Sequence, residues 1–405
     1  MSAPEWVRQL DFLHDEAVHE DPYPILARLR AECPVAHMET QGGYWIVTRH
    51  EDVHRLLKDN KNFSNRKTNP RPMSENVRGD LGPNLLIQSD PPEHFAFRQI
   101  IQSTFTPGRA DEAEPVAREV SVKLLEELAP RGECEFVRDF AVHVPGVVMM
   151  PLLGVPPEDY DQLLEAAWGE EQKHAGATPD PEQRMKAMKE TRARQVAYFR
   201  TLYERRQETG PIGDDLASVL VAARVDGRPL TMTELLNLTL VLYNAGLHTT
   251  TNTLSNMMVY LSQHADQRDR LVNEPQIIPA AIEELMRWES IVTGGRQAKV
   301  DIELGGCVIP AGDVVMWATG SAGRDQDEMG PDADEVDFDR GPTRHFQFGA
   351  GPHRCIGSHL ARMELIVAME EIHRRIPTYR LKPGTTPKRH TGMERGTEEL
   401  WLVWD

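Results

Sequence analysis

Cysteine is scarce: the 405-residue chain has four, Cys33, Cys134, Cys307 and Cys355, with no CxxC pair among them. That leaves no disulfide framework and no zinc cluster to read, and it suits reduced thiols. An excess of positive charge is missing too. Lys and Arg number 45 against 63 Asp and Glu, a net charge of −18, whereas a general nucleic-acid binder carries a basic footprint. No long apolar run is present. The most apolar stretch, 141–155, is broken by His143, Pro145, Gly146, Pro151 and Gly154 and is too short to span a bilayer. The first ten residues lack the basic-then-apolar order of a signal peptide, so the chain reads as soluble and cytoplasmic. Gly and Pro, 29 each, are too few for a disordered or collagen-like polymer, and 40% hydrophobic with 27% charged residues is an ordinary globular balance.

No repeat, low-complexity tract or Gly/Ser linker divides the sequence, which favours one continuous fold. Apolar spacing predicts helices over 51–58, 115–128, 160–168, 182–207, 280–289 and 356–376. The polar break 175–181 between two of them reads as a mobile lid. The longest helical pattern, 233–263, is apolar nearly all round and predicts a buried central helix. Short β-like pieces fall at 43–48, 299–304 and 314–317, and 321–350 is loop-rich. The expected class is mainly α with a minor antiparallel β part.

The sharpest local feature runs from Phe348 through Gly349, Ala350, Gly351, Pro352, His353 and Arg354 to Cys355, Ile356 and Gly357. It is a Gly-rich loop that delivers a cysteine to the start of a helix. There a thiolate is stabilised by the helix dipole and by free N–H groups, which suits it to bind a metal. Glycines without Cβ let the backbone lie flat against a large planar group. A buried structural cysteine beside a turn is the alternative for Cys355 taken alone.

The whole string resembles the cysteine-ligand loop of the cytochrome P-450 family, Phe-x-x-Gly-x-x-x-Cys-x-Gly, with every fixed position filled. Further segments follow in that family's order. Glu284-Leu-Met-Arg287 resembles its Glu-x-x-Arg motif, and with Arg340 it implies a structural triad. His94 and Arg98, after Asp90-Pro-Pro, resemble the clamp on the haem propionates, as do Arg296 and His353. Ala245-Gly246-Leu-His248-Thr249 resembles the oxygen-activation motif, in which a Thr hydroxyl bends to the preceding carbonyl and opens a groove. His248 stands where the family has an acid, so it is either a proton carrier or a packed residue.

The resemblance implies one large haem-binding domain over 1–405, with β-containing parts near 35–50 and 296–318 and a helical core near 90–290 and 356–376. It implies haem b with Cys355 as metal ligand and no bound flavin. His94, Arg98, Arg296, His353, Phe348, Gly349 and Gly357 would contact the cofactor, and Thr249, His248, Ala245 and Gly246 would serve catalysis. The expected reaction is monooxygenation of a small or medium hydrophobic molecule by O2. Electrons would come from a ferredoxin-type donor and its NAD(P)H reductase, docking near Arg109, Arg354 and Arg362. A peroxide-driven relative is disfavoured by Thr249, and a haem-based gas sensor by the oxygen-activation helix. The substrate pocket would draw on Leu85, Ile87, Trp168, Val241, Ala245, Ile291, Val292, Thr293 and Met393. Arg71 and Arg395 are candidates to read a substrate carboxylate. Neither nucleic acid nor membrane is an expected partner.

Overall fold

The computed structural model describes residues 3–70, 81–165, 181–390 and 393–405. Its axis is the helix Met232–Gln263, opened by a capping box in which Thr231 Oγ1 accepts from Glu234 N–H and Glu234 Oε2 accepts from Thr231 N–H. Arg228 forks onto the same carboxylate at 2.8 Å and holds it well down, at about 2. The helix is buried nearly all round, as its pattern predicts, but not by apolar residues alone. Thr239, Thr251 and Thr253 are buried as well, and each hydroxyl donates to the carbonyl four residues earlier at 2.8–2.9 Å. Back-bonding of this kind satisfies a polar group without a partner from another element.

Pro107–Leu128 runs along Ser358–Arg375. Its small buried residues, Ala110, Ala113, Ala117 and Ser121, allow the two helices to approach closely. The helix starts two turns before the expected position. Thr106 is the cap, accepting from Arg109 N–H, and Pro115 lies inside the helix, where tertiary packing outweighs the missing donor.

The main sheet has five strands in the order Val35–Met38, Tyr44–Val47, Val314–Ala318, Thr293–Ala298, Phe63–Ser64. Its pairings are antiparallel except one, since Val314–Ala318 runs parallel to Tyr44–Val47. The β component is therefore mixed. The piece expected at 299–304 shortens to Ile302–Leu304, which pairs with Cys307–Ile309 as a separate hairpin, while the strand just before it, Thr293–Ala298, enters the main sheet. One face of the main sheet packs on the amino-terminal helices. The other meets helix His50–Lys58 and Phe346, at the entrance to the cysteine loop. All four cysteines are free. Among the described residues, no helix is long and apolar enough to cross a membrane. The expected lid at 175–181 and Trp168 lie outside the described residues, apart from Pro181, which begins the helix Pro181–Thr209.

Candidate active site

A cavity of about 400 Å³ lies between the central helix, the edge of the main sheet and the cysteine loop. The loop folds on itself through two backbone bonds, Gly349 N–H to Phe346 O at 2.9 Å and Cys355 N–H to Phe348 O at 2.8 Å. Gly351 has φ +69°, and a Cβ there would fall 2.7 Å from Leu57 O, so the loop closes against helix His50–Lys58 only with glycine. Cys355 is exposed, lining the cavity three residues before helix Ser358–Arg375. Burial among protein atoms pushes its thiol up, opposed by the Gly357 N–H and by Arg98, Arg354 and Arg362.

At one edge of the cavity a set of donors converges. Arg296, from strand Thr293–Ala298, is 1% exposed, yet its Nε and Nη1 have no partner among the described residues. His94 Nδ1 and His353 Nε2 are likewise buried without partners, and the two rings lie 3.9 Å apart. Burial, then neighbouring cations, depresses both imidazoles, His94 to about 4 and His353 to about 3, and burial brings Arg296 to about 10. Arg98 Nη2 donates to Arg354 O at 2.6 Å and ties helix Glu93–Ile101 to the loop. Two unpartnered guanidinium donors of Arg296 beside unpartnered ring nitrogens of His94 and His353, with no carboxylate bonded to them among the described residues, fit a ligand that brings its own acidic groups.

On the central helix, Val241, Ala245, Gly246, Thr249 and Thr250 line the cavity. Thr249 Oγ1 donates to Ala245 O at 2.6 Å, as the motif predicts, within a helix that runs from Met232 to Gln263. Gly246 is small for a second reason: a Cβ would fall 2.9 Å from Met149 Sδ. His248, one residue from Thr249, does not line the cavity.

Glu284, Arg287 and Arg340 come together. Arg287 donates to both Glu284 oxygens at 2.7 Å, and Arg340 Nε to Oε1 at 3.0 Å. Arg287 also donates to the carbonyls of Gly323, Ala333 and Glu335, pinning the loop-rich stretch to helix Ile278–Trp288.

Of the expected pocket, Ile87, Val241, Ala245, Val292 and Met393 line the cavity. Leu85, Ile291 and Thr293 do not. Leu86 takes the place of Leu85, which packs on the core. Ile291 and Thr293 flank Val292 and point away from it, because side chains alternate along extended chain. Arg395 is no substrate reader: it is buried, donates to Glu289 at 2.9 Å and to the carbonyls of His19 and Glu20 at 3.0 Å. Burial would raise Glu289, but Arg389 and Arg395 outweigh it and hold the carboxyl down. Arg71 lies outside the described residues. Arg109 forms an ion pair with Asp214, and Arg362 with Glu283, while Arg354 remains exposed.

Three residues absent from the sequence reading belong to the site. Gln347 joins Ser290 and Ile291 to Thr253 by hydrogen bonds of 2.9–3.1 Å. Trp317 forms part of the wall. Glu364, on helix Ser358–Arg375, lines the cavity with Oε1 unpartnered, and burial raises it to about 8 against a hydrogen bond from Thr250. Its signal in the sequence is a carboxylate set among Leu360, Leu365, Val367 and Ala368.

A cysteine loop beneath a long helix, with a Glu-Arg-Arg triad behind it, defines a haem-thiolate class of protein. The cytochrome P450 family model matches residues 37–394, and the chain belongs to that family. It is 38% identical to the mycinamicin IV hydroxylase/epoxidase of Micromonospora griseorubida, over 89% of each chain. It is 33% identical to the vitamin D(3) 25-hydroxylase of Pseudonocardia autotrophica, over 90% of this chain and 89% of the relative. Among solved structures, CYP109E1 of Bacillus megaterium in complex with corticosterone superposes with a TM-score of 0.84, at 27% identity, covering 96% of this chain and 100% of that one. The chain is thus a P450-family monooxygenase, and that family implies a haem held by a cysteine thiolate. The exposed Cys355 sulfur, the orphaned donors of Arg296 and the unpartnered ring nitrogens of His94 and His353 fit that group.

Proposed function

We propose that this enzyme inserts one oxygen atom from O2 into a medium-sized hydrophobic molecule, with haem b ligated by Cys355. The observation that carries this reading is one apolar cavity lined by both Cys355 and Thr249. The haem, when bound, supplies O2 activation at an iron with a thiolate ligand. The chain's own groups do the rest. Arg98, Arg296, His94 and His353 would hold the propionates, and the Gly357 N–H would support the sulfur. Thr249 Oγ1, whose own proton goes to Ala245 O, presents its lone pairs to the cavity, and Glu364 holds a carboxyl proton at neutral pH beside Thr250.

Leu86, Ile87, Val241, Leu242, Val292 and Met393 would orient the substrate by shape and exclude water. The relatives named for mycinamicin IV and vitamin D(3), and the structure solved with corticosterone, support a bulky alicyclic or macrocyclic substrate. Electrons would arrive from a ferredoxin-type protein and its NAD(P)H reductase. Exposed Arg354 beside the ligand, and Phe95 at 49% exposure on the helix tied to it, support docking on the cysteine side. The ferrous carbon-monoxide difference spectrum tests the reading: a far-red thiolate-type Soret band is expected, lost in Cys355→Ser. A wild-type protein that takes up no haem would overturn it.

A further inference from the structure

Trp317 stands on strand Val314–Ala318 directly opposite Gly294, and Val315 stands opposite Arg296. Alternation along both strands therefore puts Trp317, Gly294 and Arg296 on one face of the sheet. That face meets the cavity, and all three residues line it. The indole occupies the space that a side chain at position 294 would need. A Cβ on Gly294 would fall 2.3 Å from Cζ2, 2.8 Å from Cη2 and 3.0 Å from Cε2 of the ring. Cζ2, Cη2 and Cε2 all belong to the six-membered ring, so the benzo side of the indole is the side seated on Gly294.

Four other indole N–H groups are used. Trp45 donates to Asp313, Trp288 to Asp334 O, Trp401 to Glu399 and Trp404 to Ala129 O, at 2.7–3.1 Å. Among the described residues, Trp317 Nε1 has no acceptor, and it is not sealed in the core. It thus shares a sheet face with two orphaned donor atoms of Arg296. A wall of the cavity that offers an indole N–H beside a guanidinium is built for an anionic oxygen.

We propose that Trp317 is a haem-retention residue, donating its indole N–H to a propionate oxygen beside Arg296, and that Gly294 is glycine in order to seat it. The proposal rests on haem binding at Cys355, and its test is separable from that reading. Haem release from the holoenzyme is followed by transfer to excess apomyoglobin, which requires no substrate or reductant. Trp317→Phe keeps an aromatic ring and removes only the N–H. Its haem release should be roughly tenfold faster, the loss expected for one hydrogen bond to a charged acceptor, with the carbon-monoxide band unmoved. Release within twofold of wild type would overturn the proposal. So would unchanged release accompanied by weaker substrate-induced spin shifts, since the N–H would then face substrate oxygen instead. Should Trp317→Phe fail to fold, Gly294→Ala, which displaces the ring and keeps the N–H, carries the test: faster release supports the seat, and unchanged release overturns it. A wild-type chain that binds no haem sinks the ligand reading, not this one alone.

Discussion

Glu364 is a carboxyl placed where charging it is hardest. Its folded pKa of about 8 lies above the ordinary 4.5, so the folded protein keeps a proton that the unfolded chain releases. The stability tied to that proton is full below about pH 4.5 and is lost as pH rises through 8. Glu364→Gln, neutral throughout, should melt with a smaller difference between pH 5 and pH 8.5 than wild type; an equal difference in calorimetry would count against the buried proton. Thr249 and His248 part company at the same scale. Thr249 lines the cavity and His248 does not, so Thr249→Ala should raise peroxide release per reductant consumed several-fold, and His248→Ala should raise it less. Equal leakage from both variants would restore the imidazole to the proton path.

At the scale of elements, periodicity located the central helix and others such as His50–Lys58 and Ile278–Trp288, but not Tyr23–Glu32, His143–Leu153 or Ala265–Asn273, and resemblance to the family's motifs located the cysteine loop and the triad. Pro115 misled because a proline usually opens a helix, and here packing of small residues against Ser358–Arg375 carries the helix through it. The strand at 293–298 was hidden by Gly294 and Gly295, which have no side chain to show alternation, although Gly294 makes room for Trp317. Glu364, Gln347 and Trp317 come to the cavity from elements distant in sequence, and no local pattern announces such convergence. Arg287 shows what the triad is for. Its guanidinium is fully buried and bonds to Glu284 and to carbonyls of three loop residues. Arg287→Ala should cost about 3–5 kcal/mol by leaving Glu284 buried with less compensation. Urea unfolding of the variant with haem content measured alongside checks this, and a loss under 1 kcal/mol would be inconsistent with it.

Across the whole molecule, the cavity is where the helical core, the main sheet and the cysteine loop meet, so a ligand filling it joins all three. Haem should therefore raise the melting temperature by several degrees or more through mass action on the folded state, and Cys355→Ser should forfeit most of that gain. Thermal scans of matched haem-loaded and haem-free samples give the comparison, and identical shifts in both proteins would argue that the sulfur contributes little to holding the group.

Arg395 carries one more implication. The same guanidinium that braces the turn beside Met393 is held by the carbonyls of His19 and Glu20, near the chain's beginning. Losing the residues up to Glu20 would take away two of its acceptors and strip Val7, Phe12, Leu13 and Val18 from the core cluster against which Met393 packs, loosening the turn that brings Met393 to the cavity wall.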